Sequence, residues 1–255
     1  LAWRGLLAGS IFITLWFITR RGWRAEDISN LKRPFGLGLI TCQFFNATLF
    51  SLGVSIAPVA LVLLGVATVP IFAAFFAFTI LREPTETKTW IAIGSVLCGL
   101  SVAVFTPENG HVQINIWSLL GALAGLGVAI SLSMSFVLIR HQKTAPFLLA
   151  IGIGGLLSGL FGLLMTGLGN MANGNIGYII FTGIVILPTS FFLLSFAARY
   201  THASNVSLAL LLETVLGPLW VWMGTPERPT PMMLFGGSIV ILSLITYLIL
   251  MRRQK

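Results

Sequence analysis

The chain has 255 residues, of which 56% are hydrophobic and 9% charged, with mean hydropathy +0.97 and formal net charge +8. A soluble domain carries about 25% charged residues. The charge here is too sparse to cover a water-facing surface, so the apolar excess faces lipid and a soluble domain is excluded.

Apolar stretches of membrane-spanning length fall at 3–19, 35–54, 57–81, 89–105, 117–139, 146–168, 177–198, 203–224 and 232–251. Polar or turn-forming breaks separate most of them: Arg20 to Pro34, Arg82 to Lys88, Thr106 to Asn115, Arg140 to Thr144, Gly169 to Ile176, Arg199 to His202, and Thr225 to Pro231. The softest break is Ser55 to Pro58. One helix through it would run about 65 Å, twice the bilayer core, so it divides two spans. Strands of a membrane barrel would alternate in polarity over about ten residues, whereas Pro58 to Leu81 is continuously apolar. The expected fold is an all-α, polytopic helical bundle of nine spans.

Placing the breaks alternately on two sides collects Arg20, Arg21, Arg24, Lys32, Arg33, Arg82, Lys88, Arg140, Lys143, Arg199, Arg252, Arg253 and Lys255 on one side, against Arg4 and Arg228 on the other. The positive-inside rule makes the first side cytoplasmic, the C-terminus with it. The net charge is therefore an orientation signal, and nucleic acid is not expected as a partner. The basic loop Arg20 to Arg33 is also suited to anionic lipid. Trp23, Trp90 and Trp117 fall at span ends, where indole rings anchor at the interface. Cys42 and Cys98 lie inside spans and read as small core residues with reduced thiols. His111, His141 and His202 are scattered loop residues, so no metal site is expected. No Gly-rich turn precedes Lys-Ser or Lys-Thr, so neither a phosphate loop nor a cofactor is expected.

Two stretches look alike. The first runs from Ala57-Pro58-Val59-Ala60 through Pro70 to Arg82-Glu83-Pro84-Thr85, then Gly94 and Gly99. The second runs from Ala203-Ser204-Asn205-Val206 through Pro218 to Glu227-Arg228-Pro229-Thr230, then Gly236-Gly237. Five spans separate their starts, so the copies enter the membrane from opposite sides, as in the inverted repeats of secondary transporters. The expected division is residues 1–105 with four spans and residues 117–251 with five.

The turn Leu81-Arg82-Glu83-Pro84-Thr85, the run Leu211-Leu212-Glu213-Thr214-Val215-Leu216-Gly217-Pro218-Leu219-Trp220-Val221-Trp222, the turn Glu227-Arg228-Pro229-Thr230 and the opening Trp3-Arg4-Gly5-Leu6-Leu7-Ala8 resemble the EamA-type transporters of the drug/metabolite transporter superfamily. The resemblance implies two inverted five-helix halves with both ends cytoplasmic. It also implies that the family's first helix lies upstream of Leu1, leaving the first repeat here without it.

Of seven acidic residues, Glu26, Asp27, Glu83, Glu86, Glu108 and Glu227 are expected in loops. Glu213 is the exception. It sits ten residues into the span starting at Ala203, roughly 15 Å deep. A charge at that depth costs at least ~2.5 kcal/mol, so it must face the bundle interior or a wet cavity. Two readings stand: Glu213 binds a proton or a cationic group, or it caps the break at Gly217-Pro218. Gln43 and Asn46 share a helix face and are suited to hydrogen-bond a zwitterion or amide. Asn205 and Thr189 are further polar candidates, and Trp16 is a candidate aromatic wall, lipid-facing packing being its other reading. Ser131, Ser133 and Ser135 read first as helix-to-helix glue. Pro70, Pro188 and Pro218 are the hinge candidates, because each removes a backbone donor inside a span.

No intramembrane nucleophile or paired acid supports an enzyme. The expected function is secondary active transport of a small metabolite, amino acid or drug-like molecule across a bacterial-type inner (plasma) membrane, with export implied by the resemblance. The partners that follow are the small-molecule substrate and the lipid bilayer, with a proton as coupling ion and a second copy of the chain also open. A non-transporting membrane scaffold or a channel is the alternative.

Overall fold

The structure is a computed structural model that describes residues 1–20, 24–57, 59–83, 85–105, 116–142, 146–167, 176–203, 205–210, 216 and 231–252. The elements in chain order are α1 (Ala2–Thr19), α2 (Arg24–Leu31), α3 (Pro34–Ile56), α4 (Val59–Val66), α5 (Val69–Phe76), α6 (Thr87–Phe105), α7 (Ile116–His141), α8 (Phe147–Thr166), α9 (Ile176–Phe181), α10 (Leu187–Tyr200) and α11 (Pro231–Arg252). A π-helical turn, Ala77–Leu81, extends α5, and another, Thr182–Ile186, joins α9 to α10.

Among the described residues all of the regular secondary structure is helical. Ala2–Thr19, Pro34–Ile56, Leu119–His141, Phe147–Thr166 and Gly177–Tyr200 are long and apolar enough to cross a membrane, and Val69–Leu81 and Ser238–Tyr247 are shorter apolar helices. The chain is an all-α polytopic membrane protein. Each expected span coincides with helix except 203–224, where residues 205–210 are helical and most of the remainder, Glu213 and Pro218 included, lies outside the described residues.

The helix breaks have local causes. The Thr68 hydroxyl donates to the Gly65 carbonyl at 2.6 Å as α4 ends, and Pro70 enters the first turn of α5, where its missing N–H goes unnoticed. Pro188 follows the second π-helical turn and lies in the first turn of α10. A proline cannot donate to the fourth carbonyl before it, and the widened turn takes up that mismatch through the Leu187 N–H, which reaches back to the Thr182 carbonyl. The stretch between α1 and α3, expected to be a loop, instead contains α2. Two buried positions one turn apart, Asp27 and Leu31, explain why so short a helix forms: its inward face is anchored to the fold, whereas eight residues alone are too few to hold a helix.

The chain divides into two compact units, Leu1–Ser51 with Met134–Thr201 and Leu52–Ser133 with His202–Lys255. Each draws on both halves of the sequence. In the first unit α1 packs along α8 through glycines. A Cβ on Gly5 would meet the Gly159 backbone nitrogen at 2.5 Å, and one on Gly9 would meet the Leu156 nitrogen at 2.7 Å. Small residues in register let two membrane helices approach to backbone contact.

In the second unit α6 packs along α11, and Ala67, Ala92, Ile93, Val96, Leu208, Val240 and Tyr247 form a buried cluster. Tyr247 also carries a polar link. Its hydroxyl donates to Asn205 Oδ1 at 2.5 Å, which leaves the Thr89 hydroxyl, 3.0 Å away, to donate to Tyr247. Removing the shared hydroxyl strands two polar groups at once. Tyr247→Phe is expected to destabilise the protein by about 1–3 kcal/mol, read as a lowered thermal midpoint, whereas Thr246→Val, at an exposed neighbour bonded only within its own helix, should change little.

Candidate functional site

The polar residues that matter in the first unit lie on α3. Gln43 and Asn46 are each 6% exposed. They stand roughly 14 and 18 Å along the helix, the middle of a bilayer crossing. Their burial depends on α8: a Cβ on Gly154 would come within 2.8 Å of both the Gln43 Cβ and the Ile40 carbonyl, so only glycine leaves room for the Gln43 stem. Among the described residues neither amide has a hydrogen-bond partner, and the Thr48 hydroxyl, also buried, has none either. Each amide offers two donors and an acceptor. The arrangement is suited to a polar ligand.

Trp16 is buried, so lipid-facing packing is corrected. Its indole N–H donates to Asp27 Oδ2 at 2.8 Å. Asp27, expected in a loop, is 1% exposed and also accepts from Arg20 Nε at 3.0 Å and Arg20 Nη2 at 2.9 Å. The hydrogen bond it donates to Asp27 raises the Arg20 pKa above its ordinary value, so Arg20 keeps its charge at any working pH. Trp16, Asp27 and Arg20 thus form a bonded cluster that fixes α2 to the end of α1. Sequence reasoning missed it. The available signal was the i, i+4 pair Asp27 and Leu31 in the octapeptide Arg24–Leu31.

Asn205 belongs to the second unit, half-buried and bonded to Tyr247. At the same end of that unit, His202 Nδ1 and Glu83 Oε2 approach to 2.8 Å. Thr189 is exposed beside buried Pro188, and Pro70 is buried. Gln43, Asn46 and Trp16 therefore share the first unit, Asn205 lies in the second, and Glu213 and Pro218 lie outside the described residues. Ser133 donates to the Val69 carbonyl at 2.8 Å, the helix-to-helix role expected of it. Cys98, expected in the core, is exposed. Among the described residues no group of three His, Cys, Asp or Glu side chains could hold a metal ion.

Comparison with known proteins adds a likeness to one family. Residues 1–105 match the model of the EamA-like transporter family. The Bacillus subtilis (strain 168) protein described as "Uncharacterized transporter YdfC" is 27% identical over 246 residues, covering 92% of this chain and 77% of that protein. A crystal structure of a protein superimposes with TM-score 0.80 at 15% identity, covering 99% of this chain and 86% of the other, a likeness of fold.

Proposed function

We propose that the chain is an EamA-type transporter of the drug/metabolite transporter superfamily, a reading supported by the family match over residues 1–105 and by the transporter relative, and that it is a secondary active transporter that exports a small metabolite, amino acid or drug-like molecule by alternating access. The observation that carries the reading is the pair of buried amides, Gln43 and Asn46, lacking partners at mid-membrane depth. A solute crossing there can exchange its own water for these donors and acceptors.

The inverted repeat supports alternating access. Under it α8 is the counterpart of α1, and α11 is the counterpart of α6. Each compact unit is built around one such pair, as expected of helices close to a pseudo-two-fold axis. The repeat halves are residues 1–105 and 117–251. Pro70 and Pro188 are the proposed bending points, each adjoining an interrupted helix, with Pro218 as the sequence counterpart of Pro70. Glu213 is the proposed proton carrier, Thr189 a further substrate contact, and Asn205 one reached through its link to Tyr247. The membrane is the bacterial-type inner membrane, with the basic side and the C-terminus cytoplasmic.

The test is a survey of metabolites accumulating outside cells that overproduce the protein. Excess export of at least one solute is expected, and the double variant Gln43→Leu, Asn46→Leu should lower it at least tenfold at unchanged protein level, a loss corresponding to about 1.4 kcal/mol or more of binding. Export unaffected by the double variant overturns the assignment of the amides. For the acid, Glu213→Gln should leave the protein folded and remove the pH dependence of uptake into liposomes. The same pH response in both proteins rejects proton coupling through Glu213.

A further inference from the structure

Arg4 stands one turn inside α1, at the end remote from the basic stretch Arg20–Arg33, and is half-buried. Among the described residues it has neither a carboxylate nor a hydrogen-bond partner. The aromatic ring it faces is that of Phe50, with the guanidinium carbon 6.0 Å from the centroid. That contact is long for a cation on an aromatic face and leaves the five N–H donors of the guanidinium unspent.

Its direction follows from the packing of α1. Successive side chains turn by roughly 100°. Gly5 and Gly9 mark the face against α8, and Leu7 marks the side that meets Gly183. Arg4 points between these two contacts, toward Phe50 of α3, and so into the first unit. Along α3, Phe50, Asn46 and Gln43 succeed one another at helical spacing on neighbouring positions of one face. The result is a strip of two unpartnered amides and an aromatic ring, with a guanidinium at its end.

A planar fork of donors beside an aromatic face suits an anion on an apolar body, since arginine takes a carboxylate through two parallel hydrogen bonds. We infer that Arg4 is the anion-binding end of the substrate strip, receiving a carboxylate from a small molecule whose apolar part lies against Phe50 and whose remaining polar groups reach Asn46 and Gln43. A lipid phosphate presents similar oxygens and is the competing source. The role in transport rests on the transporter reading above; the binding itself does not.

The probes are phenylacetate and its neutral isostere phenylacetamide, added to the protein in phosphatidylcholine nanodiscs while its thermal midpoint is followed. Phenylacetate should raise the midpoint saturably and phenylacetamide should not. Arg4→Gln should weaken the apparent affinity by about tenfold or more, the loss typical of a charged hydrogen-bond partner. Arg4→Lys, which keeps the charge but not the fork, should fall between the two and shows that any loss is not misfolding. No stabilisation of the wild type, equal responses of wild type and Arg4→Gln, or an Arg4-dependent effect seen only when phosphatidylglycerol is added each overturns the carboxylate site. The transporter reading fails separately: a protein that binds phenylacetate through Arg4 yet exports no solute keeps the site and loses the transport role.

Discussion

Gly5→Val is expected to abolish the folded protein. A Cβ at Gly5 would lie 2.5 Å from the Gly159 nitrogen, 2.6 Å from its Cα and 2.7 Å from the Gly155 carbonyl oxygen. These are backbone atoms of α8, and no rotamer change clears them. The helices must part along the length over which they pack, and the contacts at Gly9 with Leu156 and at Gly162 with Ala2 are lost with them. Ordinary overpacking in a core costs about 1–3 kcal/mol because side chains shift aside; backbone contact removes that escape and puts the cost above this range. In lipid, moreover, no hydrophobic force between helices compensates for poorer packing. Gly159→Val should behave alike. Gly94, on α6, has nothing within 4 Å of its would-be Cβ. Gly94→Ala should therefore be neutral or stabilise by up to about 1 kcal/mol through helix propensity. The fraction of each variant that elutes as a monodisperse peak in mild detergent, and its thermal midpoint, decide the matter. A well-folded Gly5→Val would show that α1 and α8 do not pack at backbone distance.

These contrasts show where the sequence was legible. Spans were readable because a bilayer imposes one period and one length on every crossing. Even the weak break at Ser55 to Pro58 follows from length alone: α3 ends at Ile56 and α4 begins at Val59. The interruptions inside spans were less legible. A proline announces a missing donor, but a π-helical turn at Thr182–Ile186, rather than a kink, depends on where neighbouring helices let the backbone widen. At the site, Gln43 and Asn46 could be placed on one face from their spacing. Their lack of partners could not, because it depends on what α8 brings opposite them. Asp27 was misplaced because a charge close to a span end is assigned to water when only the one-dimensional pattern is read. A short helix folding back, or a neighbouring aromatic ring, determines whether that charge is solvated.

Asp27→Asn tests that point most directly, and it should destabilise the protein by about 2–4 kcal/mol. The carboxylate is 1% exposed and accepts three hydrogen bonds, one from Trp16 and two from Arg20. An asparagine of nearly the same shape offers one acceptor oxygen and turns an NH2 group toward donors, so at least one N–H is left facing another. Breaking a fully buried ion pair costs about 3–5 kcal/mol, and an exposed pair is worth about 1 kcal/mol at most. This pair is intermediate, since the Arg20 side chain is 38% exposed and regains water when released. The loss should be local before it is global. α2 has eight residues, and Asp27 and Leu31 hold its inward face; without the carboxylate it should fray, seen as faster amide exchange over residues 24–31 than over α1. Glu26→Gln is the control, because Glu26 is the exposed neighbour on the same helix. A midpoint shift in Asp27→Asn no larger than in Glu26→Gln would mean that α2 is held by Leu31 and chain connectivity alone, and that the buried carboxylate contributes orientation rather than stability.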